Sequence, residues 1–142
     1  MNQKIGKLCT ALFVSGLLFI LGGCSYQAPD YLEMIDSSEL NEIMKAKEIF
    51  LVDVHTPKQR HIKGTDLFVP YNRIQKHLDK LPKDKNTAIY LYCKGGPMGN
   101  SAARTLHELG YQNLINLKGG TRAWKKAGYE FEASLVKNGC SL

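Results

Sequence analysis

Cys93 is the residue of this chain best placed to do chemistry. It leaves an apolar run, Ala88-Ile89-Tyr90-Leu91-Tyr92, and enters a glycine-rich turn, Lys94-Gly95-Gly96-Pro97-Met98-Gly99. Asn100 to Leu109 then reads as a helix. Strand, tight loop and helix start is the order that builds a reactive thiolate. The loop N–H groups turn inward, and the helix dipole favours negative charge on sulfur. The alternative is a buried structural cysteine, a common fate for free thiols. A core cysteine has no need of three glycines in the next six residues, so the pattern favours a nucleophile.

The remaining polar candidates point to supporting roles. Asp53 closes the apolar run Ile49-Phe50-Leu51-Val52 and is expected to order the following loop rather than to transfer protons. His61 is expected to cap or pack that turn. His55, His77 and His107 have no metal-ligand spacing, so no metal or other cofactor is expected. Trp124 reads as a core anchor for the last helix. Arg104 and Arg122 read as solvated, or as lending positive charge to the cysteine pocket. Cys140, close to the C-terminus, is either a resolving thiol for Cys93 or an incidental tail residue. The second is favoured, because nothing in the spacing brings the tail to the loop.

The N-terminus carries targeting chemistry. Lys4 and Lys7 precede an uncharged apolar stretch, Leu8 to Leu21, and small residues follow in Leu21-Gly22-Gly23-Cys24. The apolar part is short for a membrane span of about 20 residues and fits a signal peptide. The last four residues resemble the lipobox of bacterial lipoproteins, which implies cleavage after residue 23, lipidation of Cys24 and a membrane partner through the lipid. An uncleaved anchor is the alternative. Either way the domain is expected in the cell envelope, facing the periplasm or the exterior. Ser25 in place of aspartate favours the outer membrane where there are two. The expected layout is a signal over 1–23, a linker over 24–36, one domain over 37–132 and a tail over 133–142. The formal charge of +6 is spread over scattered lysines, with no nucleic-acid motif.

Elements to position Cys93 are legible along the chain. Asp36-Ser37-Ser38-Glu39 is a helix start, with Asp36 as cap and Leu40, Ile43 and Met44 at helical spacing. Ile49 to Asp53 and Ala88 to Tyr92 have the continuous apolar character of buried parallel strands, and Leu114 to Leu117 is a third. Ile74, Leu78 and Leu81 predict one face of a helix stopped by Pro82. Thr121 to Ala127 predicts a short helix closed by Gly128. Alternating strands and helices give an α/β class with a small, mainly parallel sheet flanked by helices. Sites in such sheets form at the carboxyl ends of strands, where Cys93 stands.

Taken together, Leu51-Val52-Asp53-Val54, His61-Ile62-Lys63-Gly64, the Tyr92-Cys93 loop, Gly119-Gly120-Thr121-Arg122-Ala123-Trp124 and Ala127-Gly128-Tyr129 resemble a single-domain rhodanese, from about Ser37 to Phe131. The resemblance implies a sulfurtransferase. Cys93 would take a sulfane sulfur from thiosulfate, a persulfide or a polysulfide, hold it as a persulfide and pass it to a thiol or to cyanide. Lys94, Gly95, Gly96, Met98 and Gly99 would supply N–H groups to the anionic sulfur, while Pro97 has none. Gly95, Gly96 and Gly99 are expected to permit positive φ and close approach. Two departures qualify this. Members resembling active thiosulfate enzymes mostly have arginine and serine at the fifth and sixth loop positions, where this chain has Met98 and Gly99. His55 also stands where arginine is usual. Thiosulfate is therefore expected to be a poor donor. The alternatives are a non-catalytic binding module and a thiol–disulfide exchange protein using Cys93 and Cys140. A related phosphatase is disfavoured, since neither Gly99 nor Asn100 supplies a forked cation for phosphate.

Overall fold

The computed structural model describes residues 28–133. Cys24, Cys140 and the proposed signal lie outside the described residues. Five strands, β1 (Leu32–Ile35), β2 (Phe50–Asp53), β3 (Leu67–Phe68), β4 (Ile89–Tyr92) and β5 (Leu114–Leu117), form one sheet in the order β1-β5-β4-β2-β3. All neighbours are parallel. The α/β class is as expected, and the three apolar runs are its centre. β4 is buried at every position and lies between β2 and β5, with Val52 opposite Leu91 and Asn116 opposite Leu91 on the other side.

Each face of the sheet buries its own core. On one side Val52, Val54, Leu91, Ala102, Ala103 and Leu106 pack beneath α2 (Pro97–Glu108) and the 3-10 segment Tyr71–Lys80. On the other, Leu40, Leu51, Tyr90, Tyr92, Ile115 and Trp124 pack with α1 (Ser37–Ala46) and α3 (Gly120–Lys126). Full burial of side chains such as Leu51 or Leu106 is worth about 1.5–3 kcal/mol each. Asp36 caps α1, accepting the Glu39 N–H at 2.9 Å. The Ser38 hydroxyl, then that N–H, hold its carboxyl below the ordinary aspartate range.

The structure corrects three expectations. Leu32–Ile35, assigned to a linker over 24–36, is an edge strand with Leu32 and Ile35 buried, so the folded unit begins before residue 37. α2 begins at Pro97 rather than Asn100, because proline fits the first helical turn and Gly96 ahead of it turns the chain at φ 110°. The helix expected from Ile74, Leu78 and Leu81 is a 3-10 segment with a break at His77 (φ −131°), and Leu78 is 42% exposed. Three residues per turn, interrupted at His77, do not keep the 74-78-81 row on one face.

Candidate active site

β4 delivers Cys93 to the carboxyl edge of the sheet, and the turn after it folds back over the sulfur. The thiol is only 1% exposed, and its Sγ accepts the Gly96 N–H at 3.0 Å. Gly96 is the residue before α2, and its φ of 110° is one that L side chains rarely adopt. Lys94 and Gly95 are exposed at the loop's outer edge, while Met98 and Gly99 already belong to α2. Among the described residues, Gly96 supplies the loop N–H bonded to Sγ.

The loop is fastened from three sides. From α3, the Thr121 N–H donates to the Cys93 carbonyl at 2.8 Å and the Arg122 N–H to the Lys94 carbonyl at 3.2 Å. Gly120 permits that approach: a Cβ there would stand 2.1 Å from the Cys93 carbonyl oxygen. From β5, the buried Asn116 Nδ2 donates to the Gly96 carbonyl at 3.1 Å and to Asn100 Oδ1 at 2.7 Å. The peptide whose N–H reaches the sulfur thus belongs to a residue whose carbonyl is held by Asn116. From the β2 side, His55 Nδ1 lies 3.3 Å from Met98 Sδ.

Asp53 sits at the end of β2 with no exposure. It accepts the His55 N–H at 2.9 Å and both carboxylate oxygens take the Gln59 amide, at 3.1 and 3.2 Å. His61 Nδ1 stands 2.9 Å from the same carboxylate. Gln59 Oε1 in turn accepts from Thr121 Oγ1 at 3.1 Å, which ties the ordered turn to α3. Asp53 and His61 therefore do what their positions in the sequence suggest: they organise a loop. Tyr92 adds a second clamp, its hydroxyl accepting the Ile62 N–H at 3.1 Å and bonding Thr65 Oγ1 at 2.7 Å. Burial, then the charge of Asp53, raises its phenol above the ordinary tyrosine value.

Of the other candidates, Trp124 is buried and donates to the Glu130 carbonyl at 2.9 Å, anchoring α3 as expected. Arg104 is exposed on α2, whereas Arg122 lies beside the loop, its Nη1 3.9 Å from where a Cβ of Gly95 would be. Among the described residues no cluster of three His, Cys, Asp or Glu could hold a metal ion. Asn116 escapes the sequence reading. Its signal is one polar residue in the strand Leu-Ile-Asn-Leu, where a buried amide must find partners.

The glycines divide by role. Gly96 has the positive φ expected of the loop glycines, but Gly95 and Gly99 do not. Gly99 is required for space instead: a Cβ would fall 2.1 Å from Asn116 Oδ1.

Comparison with known proteins agrees with this arrangement. The model of the rhodanese-like domain matches residues 36–127. A protein named sulfurtransferase from Allochromatium vinosum is 31% identical over 97 residues, covering 66% of this chain and 89% of that protein. An adenylyltransferase and sulfurtransferase, uba4, from Ogataea parapolymorpha is 28% identical over 105 residues, but the match spans only 27% of its length. Among solved structures, a rhodanese-like domain protein from Staphylococcus aureus superposes with a TM-score of 0.59 at 28% identity, over 71% of this chain and 99% of that one.

Proposed function

Since the chain belongs to the rhodanese-like domain family, we propose that it is a sulfurtransferase that carries sulfane sulfur on Cys93. The observation that carries this is the Gly96 N–H on Cys93 Sγ, inside a loop held on both flanks by α3 and Asn116. The Cys93 thiolate attacks the sulfane sulfur of the donor, and the donor's leaving group departs with the electron pair of the broken bond. The resulting persulfide places its anionic outer sulfur against the N–H groups of the turn. The Gly96 N–H is already in place at the sulfur, so little reorganisation opposes the charge there. A thiol or cyanide then removes the outer sulfur and Cys93 returns. The formed loop and its cysteine count against a purely binding role.

We further propose that Met98 and Gly99, standing where a forked cation and a hydroxyl are usual, make thiosulfate a poor donor relative to persulfides and polysulfides. The lipobox-like Leu21-Gly22-Gly23-Cys24 supports a lipid-anchored location in the cell envelope.

Intact mass spectrometry after incubation with polysulfide or thiosulfate tests both points. One sulfur atom is expected on the wild type and none on Cys93→Ser; wild type unmodified by every donor would end the sulfurtransferase reading. In steady-state kinetics, kcat/KM for thiosulfate is expected to be lower than for polysulfide. A clear preference for thiosulfate would remove the donor assignment.

A further inference from the structure

Beside the cysteine loop opens a bay of about 530 Å3. Arg60, Lys94, Arg122 and Lys125 line its polar side, and Tyr129 and Phe131 line an apolar wall. Among the described residues no carboxylate lines it. Among the described residues none of the four cations is in an ion pair. The neighbouring acid Glu130 is bound elsewhere, to Lys63 at 2.6 Å. Two of them, Arg60 and Arg122, are nonetheless positioned. Arg60 donates from Nε to the Glu132 carbonyl at 2.7 Å and its guanidinium stands 5.6 Å from the Phe131 ring centre. Arg122 reaches back over Gly95, and its own backbone N–H holds the carbonyl of Lys94. The bay and the loop are therefore one continuous surface.

We infer that this bay holds the anionic body of a low-molecular-weight organic persulfide whose carboxylates lie several bonds from its sulfur, while the sulfane sulfur reaches Cys93. The inference rests on the sulfurtransferase reading above and names its donor class. In thiosulfate the charged oxygens sit on the atom bonded to the transferred sulfur, so they call for a cation within the loop, where this chain has Met98 and Gly99. Three of the four cations, Arg60, Arg122 and Lys125, come from outside the loop, which suits charge set back from the sulfur. The volume is in the range of small-molecule sites, roughly 300–1,000 Å3, and the aromatic wall covers the intervening chain of the donor. In the transfer, Cys93 thiolate forms a bond to the outer sulfur of R–S–SH. The donor's S–S bond breaks, its electron pair leaves as RS⁻, and the outer sulfur keeps its proton until solvent removes it. Atoms and electrons balance with no external oxidant or reductant.

The test compares glutathione persulfide, which carries remote carboxylates, with cysteamine persulfide, which carries a cation, on the full chain. The expected kcat/KM ratio favours glutathione persulfide by about tenfold at low salt and shrinks as salt rises. Arg60→Glu with Lys125→Glu is expected to raise KM for glutathione persulfide about tenfold while KM for cysteamine persulfide does not rise. The milder Lys125→Gln should move KM the same way by a smaller factor, which separates charge from misfolding. Independently of turnover, S-methylglutathione should shift the backbone amide resonances of Arg60, Lys125 and Tyr129 in the Cys93→Ser protein. Equal KM values for the two persulfides, insensitive to the charge reversals while Cys93 still takes up sulfur, would overturn the bay. Absence of sulfur addition from any donor would overturn the sulfurtransferase reading instead, and the S-methylglutathione titration would still decide whether the bay binds anions.

Discussion

Three glycines follow Cys93 within six residues, and at the residue scale they differ: Gly96 is needed for its conformation, Gly99 for space, and Gly95 for neither. The sequence marks all of them as conformational freedom; the coordinates assign that only to Gly96. Gly99 exists because Asn116 passes over it, and among the described residues Gly95 has only the end of the Arg122 side chain near its open face. Substitution by alanine separates them. Gly99→Ala forces the Asn116 amide away from the Gly96 carbonyl, so it should cost about 1–3 kcal/mol and also weaken sulfur addition at Cys93. Gly95→Ala should stay within about 0.5 kcal/mol of wild type. Urea unfolding midpoints measure both, and equal losses would mean that the Asn116 contact is not what fixes Gly99. Cys93 itself was legible because its strand, turn and helix are contiguous in sequence. Asn116 was not, since its partners Gly96 and Asn100 come from a segment well before it, and no local pattern announces such a contact.

At the scale of elements, the strands that carry the site were readable where burial on both faces leaves a continuous apolar run, as in β2, β4 and β5. β1 is not legible because Glu33 interrupts its short run, and an edge strand tolerates that exposed charge. The 3-10 segment passes for an α-helix in the sequence because its apolar residues fall at α-helical spacing. What joins elements here is often a single side chain, and Tyr92 is the clearest case. From the end of β4 its hydroxyl holds Ile62 and Thr65, the turn that carries His61 toward Asp53. Tyr92→Phe leaves the buried Ile62 N–H without its acceptor and should cost about 1–3 kcal/mol. The fold raises the phenol pKa above its unfolded value, so the neutral form is the one stabilised. That contribution is whole below about pH 10 and is lost as the pH climbs through the folded value. Thermal melts at about pH 8 and about pH 11 should therefore show the gap between wild type and Tyr92→Phe narrowing on the alkaline side. A gap that widens would show that Tyr92 is ionised more readily in the fold than out of it.

Across the whole molecule, the site depends on strands far from the sulfur. β4 is held in place by β5, which carries Asn116, and β5 is covered on its outer side by β1. β1 contributes the buried Leu32 and Ile35, and the Lys118 N–H just beyond β5 donates to the Ile35 carbonyl at 2.8 Å. Burial of those two side chains alone is worth about 3–6 kcal/mol, on the scale of the roughly 5–15 kcal/mol that holds a domain together. A chain begun at Ser37, the boundary drawn from sequence, loses that and bares the β5 edge, with its unpaired backbone groups, to other molecules. It should be aggregation-prone or melt many degrees below a chain begun at Ala28. Sulfur addition at Cys93 should fall with it, since an unsupported β5 no longer fixes Asn116 over the loop. Comparing the two chains by melting temperature and sulfur uptake decides the matter. Equal stability would mean that β1 is an ornament of the sheet, and that the persulfide loop is supported by β4, α2 and α3 alone.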